Sequence, residues 1–492
     1  MKTLAGLDLL VLGIYLVGVT GYGCWFYLRN RESERFMSAG RSLPGWAVGL
    51  SIFGSYVSSI SFLAVPGRAF AGNWSGLVPT FALPLAVWIA CRWFVPFYRR
   101  HGEVSAYHHL EARFGPWART YAVACYLLTQ IARLGTILYL LALALVPLTG
   151  WDIRLIIVGA GLVILVYPLL GGTEAVIWTG VVQAVVLVGG ALACVAVLLF
   201  KMPGGPAEIF NVAAAHGKFS LGDFGTSLAQ PTFWVLLAYG LLINLQNFGV
   251  DQSYVQRYAT ARSEAEARRS VWVGGLLYLP VGAMFFFIGT ALFSFYTAQP
   301  SLLPPGFDPA ARPDAVFPHF ISAQLPAGLA GLVVAGLCAA AMDSNLNCMA
   351  TLYLKDIHIR YLRPRAGERE SMAVLYGSTF LFGLLGIAAA LAMISIKNAL
   401  DLWWELAGIF GGGVLGLFLL SFLPRVSARA ALAGVLAGVV TIVWLALSAR
   451  AAFLPAELRN PLHPFLTNVV GTLVLVVVGL LLASRLRRAT PA

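Results

Sequence analysis

Arg133 and Asp343 are the two ionisable residues that stand near the middle of long apolar runs in this 492-residue chain. A charge at membrane depth is costly and is kept where it holds a partner or a passing ion. The planar guanidinium of Arg133 matches a carboxylate gripped through two parallel N–H···O bonds. Its structural alternative is a helix carbonyl or an acidic side chain of the same chain. Asp343 is the lone carboxylate at its depth, open to three roles: cation ligand, proton carrier, or bond between helices. Two polar patches also interrupt apolar runs, Gly54-Ser55-Tyr56-Val57-Ser58-Ser59-Ile60-Ser61 and Asn244-Leu245-Gln246-Asn247-Phe248-Gly249. Either patch alone is accounted for by close helix contact through small residues. Two patches in corresponding places point instead to two broken helices, whose free backbone groups face a solute and an ion near the midplane. Glu174, Asp251, Asp356, Asp401 and Glu405 lie near the ends of apolar runs, where solvation or helix capping explains them. All seven histidines fall in connections, and His108-His109-Leu110-Glu111 has the wrong order for a zinc motif. Nothing here equips an intramembrane enzyme.

The elements that must carry these residues follow from composition. The chain is 59% hydrophobic and 11% charged, with a mean hydropathy of +0.81. A soluble domain carries roughly a quarter charged residues, so the apolar runs belong in lipid. Apolar stretches of about 17 to 25 residues, enough to cross the hydrocarbon layer, begin near residues 6, 43, 75, 118, 152, 174, 231, 270, 326, 371, 399, 427 and 464. The first lacks a small-residue cleavage site and reads as a retained helix. With the patches as landmarks, the chain divides into a leading helix (6–28), a five-helix repeat (43–200), a second repeat (231–421) and two trailing helices (427–484). All of it forms one all-α polytopic membrane domain. No G-x-x-x-x-G-K-[ST] loop occurs, so ATP is not the expected energy source. The six cysteines form no C-x-x-C pair, and neither disulfides nor zinc are expected.

The net charge of +12 is a topology signal. With the N-terminus outside, 23 of the 33 Lys and Arg fall in cytoplasmic connections. Groups such as Arg29, Arg31, Arg35 and Arg41, or Arg257, Arg262, Arg268 and Arg269, mark that side. This is the positive-inside bias, and it excludes nucleic acid as the reason for a basic chain. It places the protein in the cell (inner) membrane, with the C-terminus cytoplasmic and no obligate protein partner indicated.

Several segments resemble the sodium/solute symporter family. Gly249-Val250-Asp251-Gln252-Ser253-Tyr254-Val255-Gln256-Arg257 resembles its D-Q-x-x-x-Q-R stretch. Gly171-Gly172-Thr173-Glu174-Ala175-Val176-Ile177-Trp178-Thr179 is similar to its G-G-x-x-A-V-I-W-T, and Ala106-Tyr107-His108-His109-Leu110-Glu111-Ala112-Arg113-Phe114 to its [ST]-A-Y-x-x-L-E-x-R-F. Leu402-Trp403-Trp404 with Gly411-Gly412-Gly413 fits its eleventh helix. Pro300-Ser301-Leu302-Leu303-Pro304-Pro305-Gly306-Phe307 looks most like the bacterial sialic-acid symporters.

The resemblance implies a leucine-transporter-type fold of inverted five-helix repeats, alternating access, and sodium-coupled uptake of a small polar solute such as a sugar, sialic acid or other carboxylate. Carried over, Ser58 and Ser61 hydrogen-bond the solute, Asn244 and Asn247 face them, and Arg133 takes a carboxylate. Thr80 stands where sialic-acid symporters have glutamine. The family binds sodium through two backbone carbonyls, here Gly54 and Val57, and an adjacent pair of hydroxyl residues. Here Ala340 and Ala341 occupy that pair, or the pair is deleted before Asp343, and Gly180 replaces a further acidic ligand. Asp343 with Ser344 is then the expected replacement for the lost hydroxyls. Proton-coupled or uncoupled transport stays open on that ground, as does a sensor built on a transporter fold. Cysteines placed within 257–269 are expected to react with an impermeant thiol reagent from the cytoplasmic face. Labelling from the outer face reverses the assigned topology.

Overall fold

A computed structural model describes residues 4–28, 31–57, 59–309, 311–341, 345–395, 399–448, 455, 457 and 459–488, with side chains omitted at 28, 59, 60, 167, 399–406, 409, 410, 412 and 485–488. Apart from one bridge between Leu43 and Ala261, the described residues hold no β-structure. Apart from short helices in the connections, the helices are α1 (Gly6–Trp25), α2 (Gly45–Tyr56), α3 (Ser59–Ala71), α4 (Trp74–His101), α5 (Pro116–Thr149), α6 (Ile153–Lys201) and α7 (Phe233–Val250). They continue as α8 (Gln252–Ala259), α9 (Glu264–Ala298), α10 (Leu329–Leu362), α11 (Glu368–Met393), α12 (Ala399–Ser421), α13 (Ala428–Ser448) and α14 (Leu466–Arg488). Among the described residues, ten helices are long and apolar enough to cross a membrane, or eleven with the bent α2–α3 pair as one span. Two of the thirteen expected spans lie outside that count. Ile153–Val166 is a shorter apolar helix, and α12 runs through side chains that are not described.

Three interruptions shape the bundle. The first falls at Val57, where extended backbone (φ −84°, ψ 104°) ends α2, and α3 leaves at 52° to it. The second falls at Asp251 (φ −73°, ψ 125°), between α7 and α8. The third lies inside α6. Pro168 removes a backbone donor there, and Gly172 takes φ +62°, a conformation that glycine adopts without steric cost. A Cβ at Gly172 would meet the Phe36 ring and carbonyl at 2.8 Å. The double glycine of the motif around Thr173 therefore turns the chain and docks it on the segment before α2.

The broken helices pack crosswise. Both α2 and α3 lie against α9, whereas α7 lies against α4. Each broken helix thus rests on the second helix of the opposite half. Both contacts close through a glycine set on a proline carbonyl: Gly289 of α9 on Pro66, and Gly240 of α7 on Pro79. Outside this core, α5 packs on α11 and α12, and α6 packs on α10. The trailing helices α13 and α14 pair with each other, and α14 also packs on α12.

The leading helix is clasped to α10 by a buried carboxylate. Asp8 is 3% exposed; its Oδ1 accepts from the Gly328 and Gly331 amides at 2.6 and 2.8 Å, and its Oδ2 from Ala5 N at 3.1 Å. The amide at Gly331 belongs to the first turn of α10, where a negative charge is favoured by the helix dipole and free N–H groups. A Cβ on Gly331 would stand 2.6 Å from the Asp8 backbone, so the crossing needs that glycine. Asp8→Ala should lower stability by about 1–3 kcal/mol, the cost of stranding buried donors, read as a lower Tm in detergent. Asp8→Asn, which keeps an acceptor, should retain part of the difference.

Candidate substrate and ion site

Arg133 projects from α5 to the tip of α2, where its Nη2 donates to the Ser55 carbonyl at 2.8 Å. The last carbonyls of a helix lack partners within the helix, and α2 ends at Tyr56. A guanidinium is suited to that partly negative end. Arg133 also lies within electrostatic reach of the Tyr56 hydroxyl and the Asp251 carboxylate. One cation therefore stands between the break after α2 and the break after α7.

Asp251 has two separate functions at its break. Its Oδ1 accepts from Ser253 N at 2.8 Å and from the Ser253 hydroxyl, capping α8. Its Oδ2 accepts from Gln130 Nε2 at 3.3 Å, and Gln130 Oε1 accepts in turn from Asn345 Nδ2 at 2.5 Å. Gln130 thereby ties the break of α7 to α10, one turn along α5 from Arg133. Beneath it lies a cavity of about 20 Å³ lined by Thr129, Gln130, Gln246 and Asp251 among others, room for about one water.

The centre is aromatic. The Tyr56 ring lies 4.4 Å from Tyr278, 6.2 Å from Phe248 in a stacked arrangement, and 6.5 Å from Tyr254. These separations match those of favourable ring pairs. The Tyr56 hydroxyl donates to Asn244 Oδ1, and Asn244 Nδ2 donates to the Pro79 carbonyl at 3.1 Å. Asn244 is fully buried.

On the α8 side of the break, two glutamines organise a buried polar hub. Gln252 accepts from Ala106 N at 2.7 Å and donates to Val104 O at 2.9 Å and to Gln256 at 3.0 Å. The Gln256 amide lies within hydrogen-bond distance of Met37 O, Thr173, Asn347 and Thr351 at 2.8–3.2 Å. Beside it Arg119, 6% exposed, bonds Asp356 at 2.6 Å and Glu111 at 2.8 Å, while Ser105 donates to Asp356 at 2.7 Å. Bonds from Arg360 and then Arg119 hold the Glu111 carboxyl below its usual range, against the opposing effect of burial. On the other side of the protein, Lys218 reaches the carbonyls of Phe70 and Gly72 at 2.6 and 3.0 Å, beyond the end of α3. Burial lowers its ammonium pKa, and the Phe293 ring 3.7 Å away supports the charge.

The model of the sodium:solute symporter family matches residues 36–438. The chain belongs to that family. It is 32% identical over 489 residues to the sodium/sialic acid symporter NanT of Aliivibrio fischeri, covering 97% of this chain and 93% of that one. It is 30% identical over 465 residues to the human sodium/iodide cotransporter, covering 91% and 70%. A substrate-bound, outward-open Na+-coupled sialic acid symporter superposes with a TM-score of 0.89 at 31% identity, covering 98% of both chains. The transporter Mhp1, at 15% identity and a TM-score of 0.55, shares the fold. The fold is therefore of the leucine-transporter type, and the activity is sodium-coupled solute transport across a membrane that the chain crosses many times.

In this symporter the residues expected at the site meet different fates. Arg133 stands at the break, on a helix carbonyl. Asn244 is spent on Tyr56 and Pro79. Thr80 is buried and donates to Leu77 O of its own turn. Ser61 is 8% exposed and bonded to Tyr278. Asn247 is half-buried and carries no hydrogen bond among the described residues. Gly54 lies in the last turn of α2 with Val57 just beyond it; Ala340 is buried in α10. Ser58, Asp343 and Ser344 lie outside the described residues. Asp251 caps a helix, as its position indicated. Asp356 does not: it forms a buried ion pair with Arg119. Tyr56, Gln130 and Asp8 were missed by the sequence reading. Gln130 and Asp8 each carried a faint signal, a glutamine one turn from Arg133 and the lone carboxylate of the first span. Gln256→Leu strips five contacts from the hub and should cost about 1–3 kcal/mol. An unchanged Tm in detergent would show that the hub adds no stability.

Proposed function

We propose that this symporter carries a small organic carboxylate inward with sodium, and that Arg133 holds the carboxylate at the break between α2 and α3. The observation that supports it most directly is the Arg133 bond to Ser55 O. It fixes a guanidinium at a helix end where the backbone opens, the place where transporters of this architecture bind solute. The names of the NanT and sialic acid symporter relatives, which take an acid, point the same way. Ser58, Ser61, Thr80, Asn244 and Asn247 surround the solute in this reading. Because Ser61, Thr80 and Asn244 are engaged within the protein, they contribute by shaping the wall. The ion takes the Gly54 and Val57 carbonyls beside Ala340, and Asp343 with Ser344 supplies the oxygens that Ala340 and Ala341 lack. The repeats run 43–200 and 231–421 within thirteen spans of the inner membrane, with the N-terminus outside. The α8 hub then closes the cytoplasmic side.

Uptake of a panel of radiolabelled acids and neutral sugars into proteoliposomes, with and without a sodium gradient, tests the reading. Arg133→Lys keeps the charge but loses the planar fork, and should weaken carboxylate binding by about ten- to a hundredfold. Arg133→Ala binding the acid as tightly as wild type would remove Arg133 from the site. Asp343→Asn with full sodium-driven accumulation would make Asp343 structural.

A further inference from the structure

We propose that the lipid-facing seam between α4 and α9 binds the phosphate headgroup of an anionic phospholipid, and that Arg92 is its principal holder. Phe81, Leu85, Trp88 and Trp93 are 42–49% exposed and mark the face that α4 turns to lipid. Arg92 is exposed on the same face. It has no hydrogen bond or ion pair among the described residues, only the Trp93 ring 5.8 Å from its guanidinium carbon. Its neighbours differ. Arg99 bonds the Ala259 and Ala261 carbonyls at 3.0 and 2.8 Å, and Arg268 bonds Glu264 at 2.6 Å. A charge at membrane depth is costly without a partner. The 28 residues of α4 cover about 42 Å at 1.5 Å each, enough to cross the headgroup layers as well as the hydrocarbon. Arg92 stands about 13 Å before the end at His101, and its long side chain reaches from there toward the phosphates. Lipid is therefore the source of its partner.

Two features shape the place. Over Ala90–Phe94 the helix widens, and Val95 N bonds Ala90 O, five residues back. Residues five apart lie about 140° apart in a regular helix. The widened turn brings them toward one face, and Trp88 and Trp93 meet edge to face at 5.2 Å. Rings of this kind settle at the bilayer surface, and these two bracket Arg92. The second feature is the neighbouring helix. Cys91 Sγ donates to the Arg268 carbonyl at 3.6 Å, and a Cβ on Gly275 would stand 2.4 Å from Val87, so α9 lies directly along α4. Arg268 gives Nη2 to Glu264, while its Nε has no partner. Arg262 and Arg269 share the Glu266 carboxylate at 3.6 and 3.9 Å. Four arginines thus face two carboxylates. Such an excess opposes the ammonium of a zwitterionic headgroup and favours a lipid with net negative charge. Because α7 rests on α4, and α2 and α3 rest on α9, a headgroup held by both fastens the supports of both broken helices.

The test titrates purified full-length protein in mild detergent with dioleoyl phosphatidylglycerol, dioleoyl phosphatidylcholine or glycerol 3-phosphate, reading Tm and, by native mass spectrometry, retained lipid. Phosphatidylglycerol should raise Tm by about 2 °C or more beyond phosphatidylcholine, and glycerol 3-phosphate should not. Arg92→Gln should raise the half-maximal phosphatidylglycerol concentration about tenfold or more. Arg100→Gln, at the exposed end of the same helix, should stay within about twofold of wild type. Equal effects of the two lipids on wild type overturn the assignment, and an equal effect of glycerol 3-phosphate makes the ligand a soluble phosphate instead. A wild-type response from Arg92→Gln also overturns it. So does an equal loss in Arg100→Gln, which would mean a diffuse positive surface. Where Arg92→Gln does not fold, lipids with brominated tails decide on wild type. The phosphatidylglycerol form should quench tryptophan fluorescence at lower concentration than the phosphatidylcholine form, and equal quenching contradicts the proposal.

Discussion

Inside a bilayer a backbone N–H or C=O without a partner costs several kcal/mol, so a spanning helix can be interrupted only where something else satisfies the freed groups. That constraint governs the centre of this symporter. At Val57 and Asp251 the backbone leaves helical geometry, and the nearby polar side chains answer those two departures. Arg133 takes the Ser55 carbonyl, and Asp251 caps the helix that its own residue starts. Gln130 holds the second oxygen of Asp251 and passes the link to Asn345. The site is therefore less a pocket with added functional groups than a pair of opened helices with their ends tied. In the proposed reading, the group that holds the solute, Arg133, is drawn from the same set that keeps the openings tolerable.

The two sides of the breaks are treated differently. On the α8 side, Gln252 and Gln256 are buried and bonded to the 104–106 segment, Met37, Thr173 and α10. The Arg119–Asp356 pair seals the same region. Replacing so many mutually dependent bonds by water one at a time strands buried partners at each step. Opening on that side is expected to be a concerted movement of α8 against several elements at once. Such all-or-none behaviour suits a transporter, because partial opening would leak ions.

Much of this was legible in the sequence, and the reasons for what was not are local. The break at Val57 coincides with the patch from Gly54 to Ser61. The break of the second half comes later than its patch, because Asn244, Gln246 and Asn247 stay helical and the chain turns at Asp251. A side chain reaching Ser253 sets that position, and the glycine before it does not. Capping was readable for Asp251 because its partner is two residues away. The ion pair of Asp356 was not readable, since Arg119 stands 237 residues off. The fate of Asn244 was hidden for the same reason: its oxygen goes to Tyr56, 188 residues away. Residue types announced which side chains were too costly to be idle, but not which of them would spend their bonds on the protein.

The clasp at Asp8 has a consequence for how the chain is made. Its partners Gly328 and Gly331 follow it by 320 and 323 residues. At a synthesis rate of about 5–20 residues per second, the first helix waits on the order of half a minute for α10 to emerge. Through that interval its carboxylate has the Ala5 amide but not those of Gly328 and Gly331, and water at the bilayer surface is the cheaper environment for its other oxygen. The clasp on α1 is thus closed late, after the packing of α1 on α6 is already available. A ribosome that stalls before residue 328 leaves that helix held by its packing on α6 and by the bond from Leu4 N to Leu148 O, without the clasp.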